Sequence, residues 1–408
     1  MKVCVIGGGA SGLMASVLLA RRGVGVSLFE KNKELGKKIL ITGKGRCNVT
    51  NIKTGEEFFE NVIRGKKFLL SAEKNFSSNK TIEFFEDIGV KLKVERGGRV
   101  FPVSDDAKTI RDAFAYALKK EKVEVNLNSE VNEILIKDNK FYGIVVNGKK
   151  LNFNACVIAT GGLSYQATGS TGDGLKFAKV MGHSVTEIKP ALNGIKVKEK
   201  LNLEGLSLKN VKVSALSNGK IVYSSEIGEM LFTRVGISGP LVLTMSSFVN
   251  RSPIDKIVID FKPALSNEQI NARIEREIKV NGKKQIKTLL RSFLPERLVD
   301  EFILRLKVNG DLKISQLTKE IKNQLITLFK NFKLTMVEVE PIETSVITSG
   351  GVSLDEISPK DMSSKKVNNL FFIGECLDVD ALTGGFNLQI AFMTANACAS
   401  SKLFEEVI

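Results

Sequence analysis

Apolar residues near the start of the chain fall into strand-length and helix-length segments. Lys2–Ile6 is a short apolar run, whereas Ala10–Arg22 carries apolar residues at helical spacing and closes on Gly23. Val24–Phe29 is a second apolar run, and it ends at the acidic residue Glu30. The order strand, helix, strand predicts that the chain begins with a βαβ unit.

The rest of the first half also shows regular periodicity. Helical spacing predicts helices over Ser71–Ile88 and Ala107–Lys120, and Ser104-Asp105-Asp106 supplies cap residues for the second. Alternating polar and apolar positions predict a small meander of strands. Its members are Val123–Leu127, Val131–Lys137, Lys140–Val146 and Lys149–Phe153.

The pattern changes near Pro190, where short strands give way to helices. The predicted strands are Ile195–Val197, Val211–Ser214, Lys220–Tyr223 and Lys256–Phe261, with Lys333–Val339 after the helices. The predicted helices are Asn267–Lys279, Gln285–Leu294, Glu296–Leu306 and Ile314–Lys330. A buried strand, Asn369–Ile373, and an apolar helix, Phe386–Phe404, then close the chain.

This order predicts one domain that is interrupted by another. Residues 1–190 and 341–408 would form a dinucleotide-binding domain. Residues 191–340 would form an inserted domain on the substrate side, with strands over about 191–262 and helices over about 267–330.

The first predicted turn carries the glycine pattern of a dinucleotide site. Gly7, Gly9 and Gly12 lie between a strand and a helix, and Glu30 follows the next strand. Gly7 permits the tight turn, Gly9 lets the backbone approach a pyrophosphate, and Gly12 allows close helix–strand packing. The helix amino terminus favours the phosphates, and Glu30 can accept hydrogen bonds from the ribose hydroxyls. A carboxylate here disfavours NADP, because it would repel a 2′-phosphate.

Two later segments favour FAD over NAD. Phe371–Glu375 repeats the pattern of a buried strand that ends in glycine and a carboxylate, which can bind a ribityl hydroxyl. Thr383–Phe386 opens the last helix, whose amino terminus can stabilise negative charge on a reduced flavin. Ala159–Gly162 supplies a third strand end where the backbone can pass close to a ligand.

Composition and charge narrow the functional classes. The chain has 43% hydrophobic residues and no apolar run long enough to span a bilayer, so we expect a cytoplasmic protein without a membrane partner. The net charge of +15 raises the possibility of a polyanionic partner, but the lysines are spread over the chain. We therefore expect no nucleic-acid partner, and an RNA-binding or RNA-modifying flavoprotein is the alternative.

The cysteine and histidine content argues against several other sites. The five cysteines have no CxxC spacing and the chain has one histidine, His183, so we expect neither a disulfide framework nor a metal. Cys47 lies roughly where disulfide reductases keep a redox pair of cysteines at CxxxxC spacing. The second position of such a pair is isoleucine here, Ile52, so a packing or cofactor-contact role is favoured for Cys47. Cys376 is interpreted as small buried filler and His183 as structural.

Five ordered motifs resemble the BaiN-like, or YhiN-type, flavoprotein family. They are Lys38–Asn51, Arg99–Ser104, Ala159–Gly174, Leu231–Pro240 and Gly374–Asn387, and the resemblance covers nearly the whole chain. The family belongs to the two-dinucleotide-binding-domain flavoproteins, which are usually described as NAD(P)/FAD-dependent oxidoreductases. The resemblance implies FAD, an α/β Rossmann-like domain of the glutathione-reductase type, and an inserted domain with a barrel-like sheet and helices.

The motifs also imply which residues bind the cofactor. On the ADP half the expected residues are Gly7, Gly9, Ala10, Ser11, Gly12, Glu30 and Lys31. Beside the cofactor they are Lys38, Gly45, Arg46, Cys47, Asn48, Thr160 and Gly161. At the ribityl and isoalloxazine end they are Gly374, Glu375, Asp380, Gly384, Gly385, Phe386 and Asn387.

The catalytic residues are not evident, although three side chains are candidates for contact with the substrate. These are Arg99, Tyr165 and Arg234; the family often has histidine at the last position, and an arginine stays charged and does not suit proton transfer. Gly169–Gly174 is a candidate substrate- or cofactor-facing loop. No second GxGxxG motif is present at a strand–helix junction, so a nicotinamide donor would have to dock transiently.

The chemistry that we expect is hydride transfer by bound FAD on a small organic substrate, with NAD(P)H as a candidate donor. The substrate would be oxidised, or a C=C or C=N bond in it reduced. A flavin-holding sensor without turnover is a third interpretation.

Overall fold

The computed structural model describes residues 1–407. Its strands are β1 (Lys2–Ile6), β2 (Gly25–Phe29), β3 (Thr50–Asn51), β4 (Val62–Arg64), β5 (Leu92–Glu95), β6 (Arg99–Pro102), β7 (Glu124–Asn126), β8 (Val131–Lys137), β9 (Lys140–Val146), β10 (Lys149–Asn152), β11 (Ala155–Ile158), β12 (Lys189–Ala191), β13 (Ile195–Val197), β14 (Ser207–Ser217), β15 (Lys220–Ser224), β16 (Gly228–Phe232), β17 (Gly236–Ser238), β18 (Lys256–Asp260), β19 (Phe332–Val339), β20 (Ile347–Ser349), β21 (Leu370–Phe372) and β22 (Asp380–Ala381). Its helices are α1 (Ala10–Arg21), α2 (Lys37–Ile41), α3 (Gly55–Phe59), α4 (Lys66–Asn75), α5 (Ser78–Asp87), α6 (Ala107–Lys120), α7 (Asp173–Val180), α8 (Pro240–Val249), α9 (Asn267–Asn281), α10 (Ile286–Arg291), α11 (Glu296–Leu306), α12 (Lys319–Lys330) and α13 (Phe386–Ala399).

Internal contacts divide the chain into two compact units. The first unit contains residues 1–190 and the chain from residue 342 onward, and the second unit contains residues 191–341. Each unit has its own cluster of buried apolar side chains. Within residues 1–407, no helix is both long and apolar enough to cross a membrane.

A five-stranded parallel sheet forms the centre of the first unit. Its strand order is β21-β11-β1-β2-β7, and β1 pairs in parallel with both β2 and β11. Every residue of β1 after Lys2 is buried, because helices cover both faces of a parallel sheet of this kind. The predicted α/β Rossmann-type domain is therefore confirmed, and its strands all end at the same edge.

Two helices pack together in this unit and frame the sheet. The first, α1, follows β1 and packs against α13, the last helix of the chain. The side chains of α13 are buried around almost its whole circumference, which explains why most of its residues are apolar. The helix ends at Ala399, earlier than predicted, and a 3-10 turn follows.

Two predictions for the first unit were wrong. The helix predicted over Ser71–Ile88 is two helices, α4 and α5, separated at Phe76. Phe76 has non-helical backbone angles and Ser77 is extended as a cap residue, so the apolar periodicity continues across a real break. The strand predicted over Val123–Leu127 is not part of the meander, because β7 pairs in parallel with β2 at the edge of the main sheet.

The second unit contains a closed antiparallel barrel with helices packed on it. The ring of pairings runs β14-β16-β17-β13-β19-β18 and returns to β14, while β15 extends β14 as a hairpin. The barrel closes because β14 is long enough to pair with two strands. Its first half, Ser207–Val211, pairs with β16, and its second half, Lys212–Leu216, pairs with β18. The barrel-like sheet implied by the family resemblance is therefore present.

Sequence periodicity described the second unit less completely. The strands β16 and β17 and the helix α8 were not predicted, although Gly239 followed by Pro240 is a common helix start. The helix predicted over Ile314–Lys330 was wrong, because a 3-10 turn precedes α12. Thr318 begins α12 by accepting a hydrogen bond from the amide of Ile321, which separates the two segments.

Candidate cofactor site

Four strands of the parallel sheet bring their predicted motifs to one edge. Gly7 follows β1, Glu30 follows β2, Ala159 follows β11 and Gly374 follows β21. Ligands of open α/β sheets bind at this carboxyl edge. Segments that are far apart in the chain therefore meet around a single region.

The three glycines of the first turn have different surroundings. Gly7 has a φ of +106°, and a β-carbon there would lie 2.5 Å from the carbonyl oxygen of Ala159. A β-carbon on Gly12 would lie 1.9 Å from the carbonyl oxygen of Gly7. A β-carbon on Gly9 would meet no atom within 4 Å. Gly7 and Gly12 are thus required by the protein's own packing, whereas the open side of Gly9 fits the close approach of a pyrophosphate.

The Glu30 carboxylate is held in place by backbone amides. Its Oε2 accepts a hydrogen bond from the amide of Gly8 at 2.7 Å. Its Oε1 accepts from the amide and the side chain of Asn32 at 2.8 and 2.7 Å. The carboxylate therefore lies beside the glycine turn and the first turn of α1, which contains Ala10 and Ser11. This arrangement fits recognition of a ribose.

The loop before α7 folds onto the residues that follow Glu30. Lys31 donates to Thr171 and forms an ion pair with Asp173 at 2.6 Å. Burial alone would raise the pKa of Asp173, but Lys31, Lys176 and Thr171 together lower that pKa below its usual value. Asn32 donates to the carbonyl of Thr168. The Gly169–Gly174 loop and the residue before it consequently lie against Lys31 and Asn32.

Thr160 and Gly161 lie where this loop begins. The Thr160 hydroxyl accepts a hydrogen bond from the amide of Gly174 at 3.0 Å. Gly161 has a φ of +71°, and a β-carbon there would lie 3.0 Å from Ser170. Both residues therefore shape the turn that joins β11 to α7.

Glu375 belongs to a compact polar cluster with Lys38. The Lys38 ammonium lies 2.6 Å from Glu375 Oε2 and donates to the Ser164 hydroxyl at 2.7 Å. That hydroxyl donates in turn to Glu375 Oε1 at 2.9 Å, and the amide of Thr348 donates to the same oxygen. The cluster orients a carboxylate and a cation side by side, which fits a sugar hydroxyl and a phosphate.

Glycines lie both after β21, where Gly374 is close to the first turn of α1, and in the turn before α13. A β-carbon on Gly374 would lie 2.5 Å from the Ser11 hydroxyl. Gly384 and Gly385 have φ values of +124° and +99°, and Asn51 donates to the carbonyl of Gly384 at 3.1 Å. The α13 amino terminus is therefore placed by residues from another motif, and a negative charge is stabilised at such a position.

Two further predicted residues support that turn. Asn387 closes it, because its side chain accepts from the amide of Ala381 at 2.9 Å and donates to the carbonyl of the same residue at 2.7 Å. Phe386 packs its ring against Phe58 in the core. The Phe386 ring is buried and also lies beside Gly384, so it supports the turn from the core.

The loop over residues 45–48 has an unusual backbone conformation and is anchored by side-chain contacts. Gly45 and Cys47 both have positive φ values, of +85° and +59°. The Arg46 guanidinium bonds to Glu95 and Asp105 and stacks on Phe101 at 4.1 Å, and the first two contacts raise its pKa. Arg46 thus anchors the loop.

Cys47 and Asn48 are both directed inward. Burial raises the pKa of the Cys47 thiol to about 12, so the thiol stays protonated near neutral pH. The side-chain oxygen of Asn48 is buried and has no hydrogen-bond partner within residues 1–407. An orphaned polar atom of this kind fits a ligand contact.

The candidate substrate residues are dispersed. Tyr165 is half-buried with a φ of +52° and directly follows Ser164 of the Glu375 cluster. Arg99 is exposed and pairs across strands with Asn51. Arg234 is exposed at the tip of the β16–β17 hairpin of the second unit.

Cys376 and His183 have structural surroundings. Burial raises the pKa of Cys376 to about 12, and its sulfur contacts the carbonyl of Ile373. His183 is buried, shares a hydrogen bond with Ser364 and lies edge-on to Phe372. No three His, Cys, Asp or Glu side chains within residues 1–407 are grouped so that they could hold a metal ion.

Sequence reasoning missed the strand β20. Its Thr348 hydroxyl accepts from the amides of Leu163 and Ser164, and its buried Ser349 accepts from Arg64 at 2.9 Å. The signal was present, because two glycines directly follow this buried segment just as glycines follow the other strand ends. The strand was too short for its periodicity to stand out.

Comparison with known proteins identifies the family. The chain matches the sequence model described as HI0933-like protein Rossmann domain over residues 1–401. The chain belongs to this family. It is therefore a Rossmann-type flavoprotein oxidoreductase.

Two similar relatives and one solved structure extend over nearly all of this chain. A 3-dehydro-bile acid delta(4,6)-reductase of Clostridium scindens is 30% identical and covers 96% of this chain and 97% of its own length. A ribosomal RNA dihydrouridine synthase of Haemophilus influenzae is 31% identical and covers 97% of each chain. The structure of 3-ketosteroid delta1-dehydrogenase from Sterolibacterium denitrificans aligns with a TM-score of 0.50 and 15% identity, over 98% of this chain and 99% of the other. At that identity the structural likeness shows the fold alone.

Proposed function

We propose that this HI0933-like protein binds FAD and uses it to reduce a carbon–carbon double bond conjugated to a carbonyl group. The observation that carries the proposal is the convergence of the glycine turn, Glu30 and Glu375 at one sheet edge. Glu30 and Glu375 follow strands on opposite sides of β1. A dinucleotide whose pyrophosphate lies over the β1 turn would thus have a carboxylate on each side, one for the ribose and one for the ribityl chain.

The residues of the first unit would divide the binding of FAD between them. Gly9 admits the pyrophosphate, and Lys38 offers it a positive charge. The amino terminus of α13, after Gly384 and Gly385, would favour negative charge on the ring system. When bound, the flavin supplies hydride transfer.

The reduction of a conjugated double bond is supported by the two full-length relatives. A delta(4,6)-reductase of a 3-dehydro steroid acts on double bonds conjugated to a ketone. Formation of dihydrouridine saturates a double bond that is conjugated to a ring carbonyl. Because both names describe the same bond change, we assign that reaction to this chain, with a small enone as the first substrate class and NAD(P)H as a transiently docked donor.

Ribosomal RNA is the second candidate substrate. It is favoured by the net charge of +15 and by the relatives named ribosomal RNA dihydrouridine synthases. A positively charged protein attracts the phosphate backbone without reading sequence, so charge alone would give binding that falls steeply with salt. Modification of a uracil ring would require binding that persists at moderate salt.

The test begins with an absorbance spectrum of the purified protein after incubation with FAD. The protein is next mixed anaerobically with NADH or NADPH, and then with cyclohex-2-enone or with unmodified ribosomal RNA. We expect donor-dependent bleaching of the flavin band and its return on addition of a substrate, with a product two mass units heavier. A protein that binds FAD but is reoxidised by neither substrate would contradict the proposed reaction, and a protein that never binds FAD would contradict the cofactor as well.

A further inference from the structure

Arg64 is fixed at one nitrogen and unused at the other two. It ends β4 and pairs across strands with Asp380 of β22. Its Nε donates to the Ser349 hydroxyl at 2.9 Å and lies 3.8 Å from Asp380 Oδ1. Ser349 and Asp380 are 0% and 1% exposed, whereas the Arg64 side chain is 30% exposed.

The contact between Arg64 and Asp380 is not the bidentate pairing that gives the strongest arginine–carboxylate interaction. Arginine pairs best with a carboxylate through two parallel N–H donors. Here the shortest approach to Asp380 is 3.8 Å from Nε, and the two terminal amino groups of Arg64 make no hydrogen bond within residues 1–407. The ion pair with Asp380 therefore leaves both terminal amino groups of Arg64 available for another partner.

Arg64 is attached to the turn that opens α13. The next residue, Gly65, has a φ of +81°, and a β-carbon there would lie 2.5 Å from Val379. From Asp380 the chain continues through Ala381, which Asn387 holds by two hydrogen bonds, to Gly384. Two backbone segments thus place the guanidinium beside the end of the site that would take the isoalloxazine.

We infer that Arg64 binds the carbonyl oxygen of the substrate, an inference that rests on the proposed function. When bound, the reduced flavin would supply a hydride to the β-carbon of the enone. The double-bond electron pair would shift toward oxygen, and a proton from water would then add at the α-carbon. Negative charge builds on the carbonyl oxygen in the first step. A guanidinium with two free amino groups would stabilise that charge by donating hydrogen bonds to the oxygen.

The two other arginine candidates lack this support. Arg99 is exposed and donates only to the carbonyl of Arg96 in its own hairpin. Arg234 is exposed at a hairpin tip of the second unit and has no partner within residues 1–407. Arg64 alone among the three is held by a buried hydroxyl beside the cofactor residues of the first unit.

The main test compares Arg64→Met with Arg21→Met. Arg21 is a matched control, because its side chain is also 30% exposed and it pairs with Asp87 and Glu121 away from the site. Each protein is loaded with FAD, reduced with dithionite and mixed with cyclohex-2-enone, and flavin reoxidation is followed. We expect Arg64→Met to slow reoxidation about 100-fold, as loss of an oxyanion donor does, while FAD affinity is unchanged. Reoxidation within twofold of the parent would overturn the inference.

Two milder variants guard against a folding defect. Arg64→Lys keeps the charge but not the planar fork, and we expect a loss of about 10-fold. Ser349→Ala frees Nε while both charges remain, and we expect a smaller fall in kcat with little change in KM. Normal kinetics in both variants would contradict the assigned geometry.

Phenolate binding separates this inference from the proposed function. Phenolate mimics the negatively charged oxygen and, bound over oxidised flavin, produces a long-wavelength absorbance band, so no turnover is needed. We expect its Kd to rise at least tenfold in Arg64→Met and to stay unchanged in Arg21→Met. Equal phenolate affinity in the parent and Arg64→Met would overturn the role of Arg64 even if the protein reduces enones. Weakened phenolate binding would support it even if the physiological reaction differs.

Discussion

At the scale of single residues, the glycines of the first turn are needed for two different reasons: close packing within the protein and access for a ligand. Gly12 is required by the protein, because a β-carbon there would overlap the carbonyl of Gly7. Gly9 is extended and unobstructed, so the protein itself would tolerate a side chain there. We propose that the requirement for glycine at position 9 comes from the ligand.

Gly9→Val should therefore abolish FAD binding without unfolding the protein. The extended backbone of Gly9 suits a β-branched residue, and the new methyl groups would stand where the pyrophosphate approaches. FAD titration followed by thermal unfolding measures both effects. Gly12→Ala is the contrasting variant and should lose at least about 1–3 kcal/mol of stability through overpacking. A Gly9→Val protein that purifies yellow at full occupancy would refute the assignment.

Glu30→Ala should weaken FAD binding by about 1–3 kcal/mol, the scale of a lost charge-assisted hydrogen bond. The amides of Gly8 and Asn32 already hold the Glu30 carboxylate in place, so the side chain would lose little conformational freedom when a ribose binds. Isothermal titration measures the change. Glu34→Ala is the control, because the Glu34 side chain is 41% exposed and lies 3.7 Å from Arg111. Equal affinity in the two variants would show that Glu30 does not bind the ribose.

At the scale of elements, a charged contact joins the segment after α7 to the 3-10 turn at residues 354–356. Glu356 accepts from the amide and hydroxyl of Ser184 and pairs with Lys366 at 2.6 Å. Hydrogen bonding by Lys366, together with Ser184, lowers the pKa of Glu356 to about 2 against the opposing effect of burial. The ionised carboxylate is thus favoured by the folded chain.

Glu356→Gln should make the protein less stable at neutral pH but not in strong acid. A carboxylate whose pKa falls on folding stabilises the fold above its unfolded pKa of 4.5, and that stability is lost as the pH falls toward about 2. The difference between parent and variant should therefore be largest above pH 5 and shrink between pH 4.5 and 2. Urea unfolding at pH 7 and pH 3 measures it. A difference that is the same at both pH values would argue against this ion pair as its source.

At the scale of the whole molecule, the two units bury their apolar cores in different ways. The first unit covers a parallel sheet with helices, and the second closes a barrel through the long strand β14. Because β19 pairs with both β13 and β18, the ring is complete only when the residues after α12 are included. The second unit is one continuous stretch of chain.

We propose that residues 191–341 fold on their own and form the substrate-side domain of the protein. The isolated fragment should unfold cooperatively with heat, because its buried core draws on its own helices and strands. Calorimetry and dispersed amide NMR signals measure this. A fragment that ends at residue 331 lacks β19 and should fail to fold, since the ring would then be open. If the full fragment also remains unfolded, the second unit depends on the first.

Local sequence determined the features that repeat over short distances. The apolar runs, helix caps and glycine turn predicted the βαβ start, the Rossmann-type fold and most strand positions, because these depend on neighbours along the chain. Short strands such as β20, and the break at Phe76, escaped prediction since two or three residues carry too little periodicity.

Only the tertiary structure decided which distant groups share a partner. Lys38 donates a hydrogen bond to Glu375, Arg46 donates to Glu95, and Arg64 donates to Ser349. Hundreds of residues separate the members of the first and third pairs. Their spacing along the chain does not reveal such contacts, which arise only when the folded chain brings remote segments together. The sequence by itself thus determined the glycine turn and the kind of fold. The packing of the folded chain determined which charges surround that turn, because the energy of an ion pair or hydrogen bond depends on distance in space.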